Sequence, residues 1–266
     1  MTVRASQSSQ AAASQRSFIA QWLCSLAFAI GMMLSGMIAS LIMLLCPAPF
    51  SRRYRISQYW SQFTLWWLRV TCRIDYQLSG VENIPSQPVI VMAKHQSTWE
   101  TLFLHYYLPP VAWVLKRELL WLPFFGWALA RLRPIAINRR TGASAVKQVI
   151  RQGVNHLQQG QWVVIFPEGT RVLPGVRQRY GMGGAVLATH SGCPILPVAL
   201  NAGECWPRGQ FFKQPGTVQV VFGPLLVSEG CSPQALGRQV EAWIENEMVR
   251  ISSVPEPSRT ESAELT

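Results

Sequence analysis

Acidic side chains are scarce in this chain: 13 Asp and Glu stand against 24 Lys and Arg, leaving a net charge of +11. That imbalance suits anionic partners such as nucleic acid, lipid head groups or phosphorylated substrates, although basic membrane proteins also carry it with no such ligand. No nucleic-acid-binding module or zinc-finger spacing is present, so nucleic acid is not an expected partner. Histidine is rarer still, confined to His95, His105, His156 and His190, and no H-E-x-x-H or related ligand pattern occurs. A metal site is therefore not expected. The six cysteines are scattered with no C-x-x-C pair, which argues against a disulfide framework and fits a reducing compartment. Internal repeats are also missing.

Apolar residues and tryptophan, by contrast, are plentiful. Eleven tryptophans in 266 residues point toward a bilayer interface, where this side chain concentrates. The length allows one sizeable domain or two small ones. Residues 1–15 are rich in Ser, Gln and Ala and read as a loose leader. Phe18–Leu45 is almost wholly apolar. As a helix it would be roughly 42 Å long, more than the ~30 Å of a hydrocarbon core requires. A tilted or partly interfacial anchor absorbs the excess. A signal peptide is the rival reading, but the apolar run is too long and no small-x-small cleavage site precedes Pro47. Arg52, Arg53 and Arg55 follow the segment, against Arg4 and Arg16 before it, which places the C-terminal side in the cytoplasm.

A second helix is expected at 56–70, where Ile56, Tyr59, Trp60, Phe63, Trp66, Trp67 and Val70 recur at three- and four-residue intervals. Such a stripe is either ordinary core or a face resting in the membrane interface. Beyond it, short apolar strands at 72–78, 89–92, 111–115, 134–137, 163–166, 195–200 and 217–222 are interleaved with helical patterns at 99–107, 143–159, 183–190 and 233–250. That alternation predicts an α/β domain around one sheet. The tail after residue 252 is rich in Pro, Ser and Glu. The expected division is a loose start (1–16), a two-helix membrane anchor (17–71), a catalytic domain (72–252) and a flexible tail (253–266).

Two stretches carry chemistry. In the first, Val91-Met92-Ala93-Lys94-His95-Gln96-Ser97-Thr98-Trp99-Glu100, a strand runs into a histidine with an acid five residues on. Five helical residues are about 140° apart, so the two side chains meet only if His95 lies in the turn before a helix and Glu100 in its first turn. Ser97 and Thr98 are N-cap types suited to that arrangement. The helix N-terminus would favour a neutral ring, and the carboxylate would take one ring N–H and set the tautomer. In the second, Trp162-Val163-Val164-Ile165-Phe166-Pro167-Glu168-Gly169-Thr170-Arg171, a buried strand ends in a turn. Gly169 permits close backbone approach, Thr170 adds a hydroxyl, and Arg171 offers a fork matched to phosphate oxygens. Lys116 and Arg117, after another strand, add positive potential or form a solvated pair. The aromatic cluster at 121–127 lines a channel, touches lipid, or is plain core.

Together these stretches resemble the glycerolipid acyltransferase family. Its histidine-acid motif matches His95 and Glu100, and its phosphate-binding motif matches residues 166–171 letter for letter. Residues 135–139, ending in Asn138-Arg139, look like its second block, and 193–198 like its fourth. The resemblance covers roughly residues 75–225. It implies a single glycerophosphate-acyltransferase-like α/β domain, a central mixed sheet flanked by helices, with N-terminal membrane helices. It further implies transfer of a fatty acyl group from acyl-CoA or acyl carrier protein to the 2-hydroxyl of lysophosphatidate, with no cofactor beyond the donor. His95 would be the base and Glu100 its orienting partner; Glu168, Gly169, Thr170 and Arg171 would form the phosphate site, with Arg139 the second arginine and Arg140 competing for that role. Glu168 would orient Arg171 or a neighbouring donor.

The chain departs from the family in two places. Most members have Asp where Glu100 stands, and a lysine common after the phosphate loop is replaced around Gly181-Met182, with Arg177 and Arg179 nearby. Two alternatives stay open: the same chemistry on another lysolipid such as a lyso-ornithine lipid, and a non-catalytic basic protein that binds anionic membranes.

Overall fold

The computed structural model describes residues 2–138 and 142–255, with side chains from Phe18 onward except that of Ala143. Helices α1 (Thr2–Leu45) and α2 (Phe50–Cys72) precede β1 (Ile74–Ser79), β2 (Ile90–Ala93), α3 (Trp99–Tyr107) and β3 (Val111–Lys116). Then come α4 (Phe125–Ala130), β4 (Ile135–Ile137), α5 (Ala143–Gln158), β5 (Trp162–Ile165) and α6 (Gly183–Ser191). The chain closes with β6 (Ile195–Leu200), α7 (Ala202–Cys205), β7 (Gly216–Phe222) and α8 (Pro233–Ile251). The start expected to be loose, 1–16, falls from Thr2 onward in helix α1, and of the expected tail 253–266 only residues 253–255 are described.

The strands form one seven-stranded sheet in the order β1-β7-β6-β2-β5-β3-β4. All neighbours are parallel except β6 and β7, so the sheet is mixed, as expected. Strands β2, β5 and β6 are buried at every residue, which is why they read as unbroken apolar runs rather than alternating ones. Their side chains still divide by the period of two. Val91 and Ala93 join the layer under α2 and α3, whereas Ile90 and Met92 join the layer under α5, α6 and α8. The C-terminal ends of the parallel strands β2, β3 and β5 therefore open at one edge, the usual place for a ligand in such sheets.

Among the described residues, Phe18–Leu45 is the one helix long and apolar enough to cross a membrane. It does not stand clear of the domain. The Gln21 amide donates to Lys213 O at 3.1 Å near one end, and Arg131 donates to Leu44 O at 3.2 Å at the other. Helix α2 crosses beside it, with the Trp67 indole donating to Ala27 O and occupying the space left by Gly31.

The aromatic stripe of α2 divides: Ile56, Trp60 and Trp67 are half-buried and pack against the core. Tyr59, Phe63, Trp66 and Val70 are exposed, Tyr59 by 62% and Trp66 by 54%, while the buried face carries Ser57, Ser61, Thr64, Leu65 and Leu68. Small hydroxyl residues let the helix approach its neighbours closely, and the rings of Tyr59, Phe63 and Trp66 are left outside. The cluster at 121–127 is not core: Trp121, Leu122, Phe124 and Trp127 are exposed, and Phe125 lines a cavity.

Candidate active site

Strand β2 ends at Ala93, and the next residues turn before α3 begins at Trp99. His95 thus lies ahead of the helix and Glu100 in its first turn, the arrangement that lets them meet. Glu100 Oε1 accepts from His95 Nδ1 at 2.9 Å and from the backbone N–H groups of Gln96 and Ser97, both at 2.6 Å. A carboxylate only accepts, so the ring proton sits on Nδ1 and Nε2 keeps a free lone pair. The extra methylene of Glu is absorbed by this backward reach onto the turn. The other oxygen, Oε2, is buried without a hydrogen-bond partner. The histidine ring stacks on Phe166 at 3.8 Å with 8° between planes. Its side chain is 15% exposed against 0% for Glu100, so the ring reaches the surface and the carboxylate does not. The cap expectation is met in part: Trp99 N–H donates to Ser97 Oγ at 3.1 Å, while Thr98 is the cap residue without a side-chain cap bond.

The turn after β5 comes to the same place. Val172 N–H donates to His95 O at 2.8 Å, pinning the loop to the histidine backbone. Gly169 has φ +70°, a left-handed position that favours glycine. Arg171 Nη1 donates to Thr98 Oγ1 at 2.7 Å. His95, Thr98, Lys116, Thr170 and Arg171 all line one cavity of about 400 Å³. Its apolar remainder is built from the domain and from Gly36, Ala39 and Met43 of α1 and Trp60 of α2. The structure thus joins a base to a group of cationic and hydroxyl donors beside an apolar compartment.

Glu168 is placed differently. It is absent from that cavity lining and buried against Lys94, whose Nζ is 3.3 Å from Glu168 Oε1 and 2.7 Å from Glu245 Oε1. Of the two partners left open for it, the neighbouring donor is the one it has, and a direct place on a phosphate is not supported. Two carboxylates share one ammonium here, with Tyr180 O–H also donating to Glu245 Oε1 at 2.8 Å. Burial pushes the Glu168 carboxyl up to about 7, with Lys94 pulling the other way. Arg139 and Arg140 lie outside the described residues. Arg177 sits 3.8 Å from Glu245 Oε2, on the Lys94 side.

Sequence reasoning singled out neither Lys94 nor Arg208. Lys94 is almost fully buried beside the histidine, and a lone charge in an apolar run was the available signal. Arg208 Nη1 donates to Thr170 Oγ1 and to Arg171 O, at 3.1 and 2.9 Å; nothing in its local sequence marks it. His105 is buried yet also lines the cavity, 2.8 Å from Ser57 Oγ through Nε2. The Trp113 indole N–H, which can only donate, reaches Nδ1 at 3.3 Å. The ring proton is then on Nε2 and points at Ser57, whose own hydrogen goes to Tyr54 O. Ser57 is therefore not a nucleophile with a base beside it. Burial pushes the His105 ring down to about 4.

Residues 75–201 match the family model described as Acyltransferase. A 1-acyl-sn-glycerol-3-phosphate acyltransferase of Pseudomonas aeruginosa is 48% identical over 220 residues, covering 79% of this chain and 86% of that protein. The alpha 1-acyl-sn-glycerol-3-phosphate acyltransferase of Mus musculus is 32% identical over 167 residues, 60% of this chain and 58% of its own length. The crystal structure of a 1-acyl-sn-glycerophosphate acyltransferase from Thermotoga maritima has a TM-score of 0.72 at 22% identity, across 90% of this chain and 99% of that one. That last likeness is one of fold.

Proposed function

Because the chain belongs to the acyltransferase family, we propose that it transfers a fatty acyl group from acyl-CoA or acyl carrier protein to the sn-2 hydroxyl of lysophosphatidate, forming phosphatidate. The observation that carries this reading is the 2.9 Å His95–Glu100 contact in one cavity with Thr170 and Arg171. The acceptor hydroxyl gives its proton to His95 Nε2 as its oxygen bonds to the thioester carbonyl carbon. Glu100 stabilises the imidazolium that forms, as in other carboxylate–imidazole pairs. The tetrahedral adduct then collapses, the C–S bond breaks, and the thiolate leaves with the proton returned by the ring. The protein supplies no nucleophile of its own and needs no cofactor beyond the donor.

Arg171, Thr170 and Lys116 supply donors for the acceptor phosphate, with Arg139 expected to join them. The apolar part of the cavity suits an acyl chain. The exposed rings of α2, the outer side of α1 and the cluster at 121–127 support seating the enzyme on a membrane. The bonds from both ends of α1 to the domain support a helix lying against the protein with its outer side in lipid. Arg52, Arg53 and Arg55 favour the cytoplasmic face of the inner membrane.

Purified protein in detergent, given labelled acyl-CoA and lysophosphatidate, should lose turnover in His95→Ala. Arg171→Ala should raise KM for lysophosphatidate more than for the donor. Lipid binding without turnover in the parent protein would leave only the non-catalytic reading. Faster acylation of a lyso-ornithine lipid than of lysophosphatidate would reassign the acceptor.

A further inference from the structure

Arg208 lies on the segment between α7 and β7, which is held from several sides. Gln214 N–H donates to Cys205 O at 2.8 Å and closes its base. Lys213 N–H donates to Ser25 Oγ of α1 at 3.1 Å, and the Trp206 ring meets Phe28 edge-on at 5.1 Å. Phe212 packs on Phe18 of the same helix at 5.1 Å. From this anchored loop the Arg208 guanidinium reaches Thr170 Oγ1 and Arg171 O. Arg208 does not line the cavity; both residues it bonds do.

The direction of those bonds has a chemical consequence. A guanidinium only donates, and a hydroxyl has one hydrogen and two lone pairs. Arg208 therefore occupies a lone pair of Thr170 and leaves the hydroxyl hydrogen available to the cavity. Its second bond fixes the Arg171 carbonyl, and so the backbone from which that side chain extends to Thr98.

We propose that Arg208 is a positioning residue for the acceptor phosphate, acting through Thr170 and the Arg171 backbone without touching substrate. This rests on the reading that Thr170 and Arg171 hold that phosphate.

Steady-state kinetics of the full-length protein in detergent micelles test it, with lysophosphatidate varied at saturating acyl-CoA. Arg208→Ala should raise the acceptor KM roughly tenfold, with kcat and the donor KM within about twofold. Arg208→Lys, which keeps a donor, should recover part of the loss. Combined with Thr170→Val, Arg208→Ala should cost clearly less than the product of the two single effects. Binding to vesicles of phosphatidylglycerol and phosphatidylethanolamine should be unchanged.

An unaltered acceptor KM in Arg208→Ala, multiplying effects in the double variant, or a matching loss of vesicle binding would each overturn the proposal. Arg171→Ala separates the levels. If it leaves the acceptor KM unchanged, the phosphate-site reading falls and this inference with it. If it raises that KM while Arg208→Ala does not, only the role of Arg208 falls.

Discussion

Exchanging Glu100 for Gln removes a charge from the site while keeping its shape. Three donors converge on Oε1, at 2.9 Å from the ring and 2.6 Å from each backbone amide. An NH₂ group in that position would face three N–H groups, so the amide oxygen takes it. The NH₂ then lands where Oε2 was, buried with nothing to donate to. That costs about 1–3 kcal/mol of stability. The amide oxygen still accepts from Nδ1, so the tautomer and ring orientation survive. What is lost is the negative charge opposite the ring once it has taken the acceptor's proton. Unit charges about 4 Å apart at an effective dielectric near 20 attract by about 4 kcal/mol, which bounds the loss near 10³-fold in rate. We expect kcat to fall roughly 10²–10³-fold, with the acceptor KM within about threefold. The assay is labelled acyl-CoA turnover in micelles, with far-UV circular dichroism melting to confirm folding. A folded variant with kcat within about fivefold of the parent would refute the reasoning and leave Glu100 as a cap for two backbone amides.

Lys94→Met leaves Glu168 and Glu245 buried without their shared cation, and should destabilise the protein by about 3–5 kcal/mol, read as a lowered thermal midpoint. The raised Glu168 carboxyl makes the folded protein bind a proton that the unfolded chain releases. Its stabilising contribution is full below about pH 4.5 and is lost as pH rises through about 7. Thermal midpoints of Glu168→Gln across that range should lack this decline; an unchanged pH slope would count against it. On α2, Ser61→Leu should overpack a site only 1% exposed and cost about 1–3 kcal/mol in melting experiments. Trp66→Ala should leave the midpoint within about 0.5 kcal/mol and weaken sedimentation with vesicles instead.

Local spacing made much of this molecule legible. The buried central strands announced themselves as β-branched runs, and the His95–Glu100 contact followed from helix geometry once the turn was placed. The 166–171 turn was recognisable because its residue types suit an anion. The α2 stripe stays open between core and interface because periodicity identifies a face but not its surroundings. The helix packs through Ser57, Ser61 and Thr64 together with Leu65 and Leu68 and leaves Tyr59, Phe63 and Trp66 outward, and only the tertiary arrangement says so. Lys94 with Glu245, and Arg208 with Thr170, are separated by 151 and 38 residues. No local pattern links partners so far apart. For Glu168 the sequence leaves Arg171 and a neighbouring donor equally open, since the ammonium it meets looks like one residue of an apolar run.

The wall that α1 contributes to the cavity limits how the protein can be handled. Deleting residues 1–47 to obtain a detergent-free catalytic fragment would remove Gly36, Ala39, Ser40 and Met43 from beside the histidine. The same cut would strip Trp60 and Trp67 of the partners their indoles donate to, Ser35 Oγ and Ala27 O of that helix. A trimmed enzyme should therefore aggregate or lose part of that cavity. Nanodiscs around the whole chain are the practical route to a working preparation.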